Sequence, residues 1–273
     1  MSDDAPKMPR LSFAARVRCI MRGVPLGLIV FGGLLLLLVL RLVERPLFGM
    51  ARPWTPHVTV AVCRLALRVL GLSVTHHGTP MPHPGAMVAN HSSWLDIFAL
   101  NAGGPLYFVS KAEVANWPGI GWLARATGTV FVNRRRHEAG AQRAVFESRL
   151  AAGHRLLFFP EGTSTDGQRV LEFKSTLFAA LFSDTTPDDL WVQPVTVVYT
   201  APEAADPRFY GWWGDMDFAP HLLQVLAQSP QGRVDITWHA PLEVAENGNR
   251  KVLARVSETA VRKAHPKGDA APG

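Results

Sequence analysis

The sequence predicts an α/β domain carried behind an N-terminal membrane-associated helical segment. Three observations lead there. An uncharged run over residues 23–40 contains five consecutive leucines and is bracketed by arginines. From Leu72 onward, short apolar runs alternate with helical segments, the pattern of a sheet covered by helices. The 273-residue chain is 48% hydrophobic and only 18% charged, enough apolar side chains for a large core plus a lipid-facing surface. The expected organisation is a polar, basic N-terminus over residues 1–22 and apolar membrane-associated helices over 23–71. An α/β domain over 72–265 and a disordered tail over 266–273 complete it.

Residues 1–10 are polar, with two prolines, and are expected to lack fixed structure. Arg16, Arg18 and Arg22 precede the uncharged run, and Arg41, Glu44 and Arg45 close it. The run is just long enough to cross a bilayer. Basic residues at both ends leave its orientation open, and insertion from one face stands beside a full span. No small-residue cleavage site follows, which argues against a signal peptide. Residues 57–71 form a second apolar helix with Gly71 as its C-cap. Arg64 and Arg68 share one of its faces, either at headgroup level or on the surface of the globular domain.

In the domain, residues 73–76, 86–89, 106–109, 129–132, 155–159 and 234–238 read as strands. Residues 191–199 form a β-rich run broken by Pro194. Helices are expected over 94–100, 120–126 with Gly128 past the end, 138–152 with Gly153 past the end, and 250–263. No internal repeat appears. Net charge is +6, which favours anionic partners, either nucleic acid or anionic lipid. Only Cys19 and Cys63 occur, both in the N-terminal part. That excludes a disulfide framework and a zinc-ligand spacing, and suits a reducing compartment.

Three stretches carry chemistry. Asn90 ends the strand over 86–89, and His91 stands at a strand-to-helix corner with Ser92 or Ser93 as N-cap. Asp96 lies about one turn on, so its carboxylate can fold back to the imidazole. A histidine so held is a general base with a fixed tautomer. With no serine or cysteine nucleophile beside it, its simplest use is to take a proton from a substrate hydroxyl. A plain N-cap with solvated side chains competes for this stretch taken alone. Second, Gly128 opens a strand that passes Phe131 and ends at Arg134, a guanidinium suited to phosphate or carboxylate, or else part of a solvated basic loop. Third, Phe159-Pro160-Glu161-Gly162-Thr163 follows a strand, and Pro160 and Gly162 impose a tight path that sets Glu161 at the strand end.

These blocks, in this order, closely resemble those of the glycerolipid acyltransferase family, whose best-known members acylate lysophosphatidate. Val192-Gln193-Pro194-Val195 resembles a fourth block, and Lys111, with Pro118 and Gly119 downstream, resembles the family's lysine-containing segment. The resemblance covers about residues 65–200. It implies a mixed sheet flanked by helices, His91 as general base and Asp96 as its orienting partner. It further implies a substrate site at Asn90, Lys111, Gly128, Phe131, Arg134, Phe159, Pro160, Glu161, Gly162 and Thr163. Arg134 would meet the acceptor's head, and Glu161 and Gly162 would shape the acceptor site. The acyl chain passes directly from an acyl carrier protein or coenzyme A thioester to the hydroxyl, with no metal, bound cofactor or acyl-enzyme. Backbone amides at the helix start after His91 are the expected oxyanion donors. The implied setting is a bacterial inner membrane with the catalytic domain on its cytoplasmic side, and the implied partners are a lysolipid acceptor and an anionic bilayer surface.

The sequence departs from the lysophosphatidate enzymes at Ser164, where they commonly carry arginine. A missing guanidinium weakens a phosphomonoester acceptor. Residues 167–175 and 210–216 resemble a bacterial branch that acylates lyso-ornithine lipid and related lyso-aminolipids, where Arg134 would face an amino-acid carboxylate. Arg169 could replace the lost arginine, which would rescue the lysophosphatidate reading. Other signals carry less. His76, His77 and His83 fit a solvated loop better than a metal site. No Gly-x-Ser-x-Gly elbow occurs. The basic residues come with no nucleic-acid motif, so a nucleic-acid partner is not expected. The aromatics of 211–214 suit core or interface anchors. A non-catalytic lipid-binding protein and a transacylase remain as competing classes, separable by thioester consumption.

Overall fold

A computed structural model describes residues 11–132, 139–182 and 189–267. Residues 1–10, all but the first two residues of the 266–273 tail, and Arg134 lie outside the described residues. The first helix, α1 (Phe13–Phe48), starts at Ser12, whose hydroxyl accepts the Ala15 amide, and stops at Gly49. It is longer at both ends than the uncharged run, because Arg16, Arg18 and Arg22 are helical too, as are Arg41, Glu44 and Arg45. Phe13, Val17, Ile20, Val24, Leu28, Phe31, Leu35, Leu38 and Leu42 are exposed at spacings of three or four, a continuous apolar stripe, while Ala15, Leu26 and Leu37 are buried.

α2 (Thr55–Leu70) turns back against α1. Buried Glu44 fixes the turn, accepting the Trp54 and Thr55 amides and the Thr55 hydroxyl at 2.7, 3.0 and 2.6 Å. The helices meet at Gly33, where a Cβ would stand 2.3 Å from Val62 Cγ2. A cleft of about 510 Å³ opens between them, lined by residues such as Ile29, Gly33, Trp54 and Val62 and by none of the motif residues. Of the two placements open for the basic face of α2, Arg64 takes the second: its Nε donates to Ala102 O at the end of the next helix.

The sheet comprises β1 (Ser73–His77), β2 (Gly85–Ala89), β3 (Tyr107–Lys111), β4 (Val130–Val132), β5 (Arg155–Phe158), β6 (Trp191–Thr200), β7 (Arg233–Trp238) and β8 (Leu242–Glu243). Their order is β1-β7-β6-β2-β5-β3-β4, with β8 also on β6. The run β6-β2-β5-β3-β4 is parallel, and β7 and β8 pair antiparallel with β6. Pro194 does not break β6. It falls between the residues that pair with β8 and those that pair with β7, where no ladder partner needs its missing N–H, and its carbonyl accepts the His239 amide.

The remaining helices are α3 (Leu95–Gly103), α4 (Ile120–Thr127), α5 (Ala139–Ala151), α6 (Phe218–Ala227) and α7 (Arg250–Ala264). They cover two core layers. Met87, Ala89, Leu95, Val197 and Ile236 pack on the face toward α1, α2, α3 and α6, while Ala86, Val88, Leu156, Phe158 and Val261 pack on the face toward α5 and α7. All of β2 is buried, as a central parallel strand requires. The chain leaves β2 toward β3 and β4, returns at β5 beside β2, and crosses to β6 on its other side. Such a reversal leaves a crevice at the carboxyl ends of the strands.

Candidate active site

That crevice is built on the exit of β2. Asn90 is buried, and its side-chain amide acts as one more ladder rung: Nδ2 donates to Val197 O and Oδ1 accepts Val197 N, both at 2.8 Å. The chain is thereby locked to β6 and turns outward at His91. Both polar groups of Asn90 are used within the protein, which gives it a scaffold role at the site.

His91 and Asp96 meet. Nδ1 lies 2.7 Å from Asp96 Oδ2, with the Asp96 side chain fully buried and that of His91 20% exposed. Asp96 Oδ2 also accepts the Ser92 and Ser93 amides at 2.9 and 3.1 Å, and Oδ1 accepts the Tyr199 hydroxyl at 2.8 Å. An oxygen that takes N–H donors on every side fixes the imidazole with its proton on Nδ1 and leaves Nε2 as an acceptor. The Tyr199 phenol is held well above its usual range, first by burial and then by the Asp96 carboxylate, so it stays a donor. Asp96, not Ser92 or Ser93, organises the start of α3; Ser93 contributes its Oγ to the Leu95 amide at 3.3 Å.

This geometry corrects one expectation. The amides of Ser92 and Ser93 are committed to Asp96, and that of His91 donates to Glu161 Oε1 at 3.2 Å. They are not free to face an oxyanion.

The loop after β5 closes on His91 from the other side. The Phe159 ring stacks on the imidazole at 3.9 Å between centroids, and the Thr165 amide donates to His91 O at 2.9 Å. Glu161 is 1% exposed and meets the His91 backbone rather than solvent. Burial pushes its carboxyl up to about 8, against the amide hydrogen bonds of His91 and Leu171, with the Asp96 carboxylate adding to the rise. Pro160 is buried, Gly162 has φ +71°, and Thr163 is exposed.

The other motif residues lie further out. Lys111 ends β3 opposite Val132, next to the strand that carries Phe131, and pairs loosely with Glu113 at 3.9 Å. Gly128 caps α4 with φ +86° at the amino end of β4, whereas His91 follows the carboxyl end of the parallel strand β2. Arg169 does not replace the missing arginine: its Nη2 and Nε donate to Asp166 at 2.6 and 3.3 Å. The histidines expected in a solvated loop are tied into the fold, His76 accepting from Trp238 Nε1, His77 pairing with Asp235 and His83 stacking on Trp191. Among the described residues no three His, Cys, Asp or Glu side chains converge to hold a metal ion.

Sequence reasoning missed several participants. Tyr199 lies far from Asp96 in the chain and carries no spacing signal. The Trp212 amide donates to Ser92 O at 2.8 Å, which seats the aromatic segment against the His91 loop. Trp94 Nε1 donates to His221 Nδ1 at 2.8 Å, and burial lowers the pKa of His221, keeping it a neutral acceptor.

Comparison with known proteins agrees with this architecture. The Acyltransferase family model matches residues 73–198. The chain is 55% identical over 262 residues, 96% of its length and 95% of the other's, to a protein of Rhodobacter capsulatus named lyso-ornithine lipid O-acyltransferase. A Brucella abortus protein of the same name is 36% identical over 73% of this chain and 78% of its own. Among solved structures, a 1-acyl-sn-glycerophosphate acyltransferase from Thermotoga maritima superposes with a TM-score of 0.66 at 18% identity, over 94% of this chain and 98% of that one, a likeness of fold.

Proposed function

The chain belongs to the acyltransferase family, and from that premise we propose that it esterifies the free hydroxyl of a lyso-aminolipid of the lyso-ornithine type with a fatty acyl chain supplied as a thioester. The observation that carries the reading is the buried carboxylate 2.7 Å from His91 Nδ1, which leaves Nε2 to face the acceptor. His91 takes the hydroxyl proton as the oxygen attacks the thioester carbonyl. The new ester C–O bond forms, the C–S bond breaks, and the proton passes to the departing thiolate. Asp96 orients the imidazole and stabilises its charge. Phe159, stacked on the ring, keeps it in one plane and sheds water from that face. Acyl carrier protein or coenzyme A bears the donor chain.

Ser164 and the commitment of Arg169 to Asp166 favour an acceptor with a single carboxylate over a phosphomonoester. Lysophosphatidate is the second reading, in which Arg134 would meet the phosphate. α1 and α2 seat the enzyme in one leaflet. The apolar stripe of α1 faces lipid, and its other side is held by α2 and by the carbonyls at the end of α6. A helix supported along its length in this way suits insertion from the cytoplasmic face of the inner membrane, where acyl thioesters are found.

The test is acyl transfer by purified protein in vesicles, offered lyso-ornithine lipid and lysophosphatidate. Esterified lyso-ornithine lipid is the expected product, and exclusive use of lysophosphatidate would overturn the acceptor. His91→Ala should retain its melting temperature and its vesicle binding and lose turnover. Near-normal turnover in that variant would remove His91 from the mechanism.

A further inference from the structure

The loop after β5 holds a cation that neither the fold nor the His91–Asp96 pair employs. Lys174 donates its backbone N–H to Pro160 O at 3.0 Å, so the residue is sewn to the Phe159–Thr163 turn from outside. The preceding residue, Phe173, is buried, and its amide donates to Glu258 Oε2 at 2.8 Å. Backbone on both sides of the lysine stem is therefore fixed. From that anchor the side chain runs across Gly162: a Cβ on Gly162 would stand 2.9 Å from Nζ, 3.4 Å from Cδ and 3.6 Å from Cε. Glycine at 162 does two things at once, adopting φ +71° and leaving room for the ammonium over its α-carbon.

The ammonium lies over Gly162, on the loop that grips His91. Glu161, one residue before Gly162, accepts the His91 amide, and Thr165, three residues after, donates to the His91 carbonyl. The basic groups on the adjoining segments are already matched, Arg169 to Asp166 and Arg208 to Asp206. Among the described residues no hydrogen bond or ion pair involves the Lys174 ammonium. The Lys174 side chain is exposed beside the loop that grips His91, so its ammonium is open to an anion brought by the substrate.

We propose that Lys174 receives the α-carboxylate of the acceptor lysolipid's amino-acid headgroup, on the Gly162 face of the loop. The inference rests on the acceptor reading given above. An ammonium is a compact point charge without the bidentate fork of arginine, so it suits one carboxylate and gives less geometric selection for a phosphate. The charge lost at Ser164 is in this way restored from a position ten residues later in the chain, in a form that changes what it selects.

The experiment is steady-state acyl transfer by the full chain in vesicles, with lyso-ornithine lipid, its carboxyl methyl ester, and lysophosphatidate as acceptors. Lys174→Met is expected to raise KM for lyso-ornithine lipid about tenfold with kcat within about twofold, the loss of one charge-assisted contact. It should leave KM for the methyl ester unchanged, and Lys174→Arg should recover most of the effect. An unchanged KM for every anionic acceptor, or an equal rise for acid and methyl ester, would overturn the assignment. If the wild type acylates lysophosphatidate and not lyso-ornithine lipid, the acceptor reading fails and the carboxylate assignment with it. Lys174 is then judged as a phosphate receptor by its KM for lysophosphatidate alone.

Discussion

Replacing Asp96 by asparagine isolates the charge on which the proposed mechanism depends. The carboxylate takes three donors at Oδ2 and the Tyr199 hydroxyl at Oδ1. Asparagine can set its carbonyl at the three-donor position and its amide toward Tyr199, whose hydroxyl rotates to accept. The loop geometry and the Nδ1–H tautomer then survive, and only the negative charge is lost. With Nδ1 and Oδ2 in contact at 2.7 Å, the centres of the two charges are about 4 Å apart. At an effective dielectric of about 20 that is about 4 kcal/mol for the imidazolium, and the one-fifth exposure of His91 trims it to about 3 kcal/mol. The expected fall in kcat is therefore about 10²-fold, with KM and melting temperature little changed. Asp96→Ala would strand the Ser92 and Ser93 amides and confound folding with chemistry. The assay is single-turnover acyl transfer, with the double variant His91→Ala/Asp96→Asn as control. Asp96 acts through His91, so the double variant should be no slower than His91→Ala alone. A fully folded Asp96→Asn enzyme within about fivefold of wild type, or additive losses in the double variant, would refute the reasoning.

Two further outcomes follow from burial. Glu161 titrates at about 8 in the fold and near 4.5 when unfolded, so between those values the unfolded chain releases a proton that the folded chain keeps. Stability should fall as pH rises through that window, at up to about 1.4 kcal/mol per pH unit, and Glu161→Gln should flatten the slope; parallel melting curves for the two proteins would refute this. Leu28, Phe31 and Leu35 are 71%, 51% and 64% exposed on the α1 stripe. Each contributes about 1.5–3 kcal/mol if fully buried in lipid, so replacing all three by aspartate should move the protein from the vesicle pellet to the supernatant, and an unchanged pellet fraction would dismiss the stripe as the membrane seat.

Local patterns made the sheet and the pair legible. Continuous apolar runs marked β2 and β5, and glycine marked the ends of α2 and α4, because these features are fixed by a residue's own neighbours. The six-residue block from His91 to Asp96 contains both partners of the central contact, so their meeting was readable from spacing. What was not readable lies across the chain. Tyr199 reaches Asp96 from the end of β6, and nothing in its surroundings distinguishes it from a core tyrosine. Pro194 looked like a strand breaker because one sequence does not reveal that β6 changes partners at that residue. The oxyanion donors were misjudged for the same reason that the pair was found: a carboxylate able to fold back on His91 also captures the amides it passes. α6 went unnoticed because its ten residues carry proline in the first turn, which reads as a breaker although the first turn tolerates it.

That overlooked helix connects α1 to the loop that carries His91. Arg18 Nε donates to Ala227 O at 2.8 Å, and Arg22 Nη1 donates to Leu226 O and Gln228 O at 3.1 and 2.5 Å. These are carbonyls at the C-terminal end of α6, which have no intrahelical donors and sit at the negative end of its dipole. In sequence the same arginines read as the basic flank of a membrane run; in the fold they cap a neighbouring helix, and a count of flanking charges overstates what remains to mark a side of the bilayer. At the other end of α6, His221 accepts Trp94 Nε1, and Phe218 packs edge-on against the Trp94 ring at 5.3 Å. Trp94 lies between Ser93, whose amide grips Asp96, and Leu95, where α3 begins. One chain of contacts therefore runs from α1 through α6 to the residues that hold the His91–Asp96 pair.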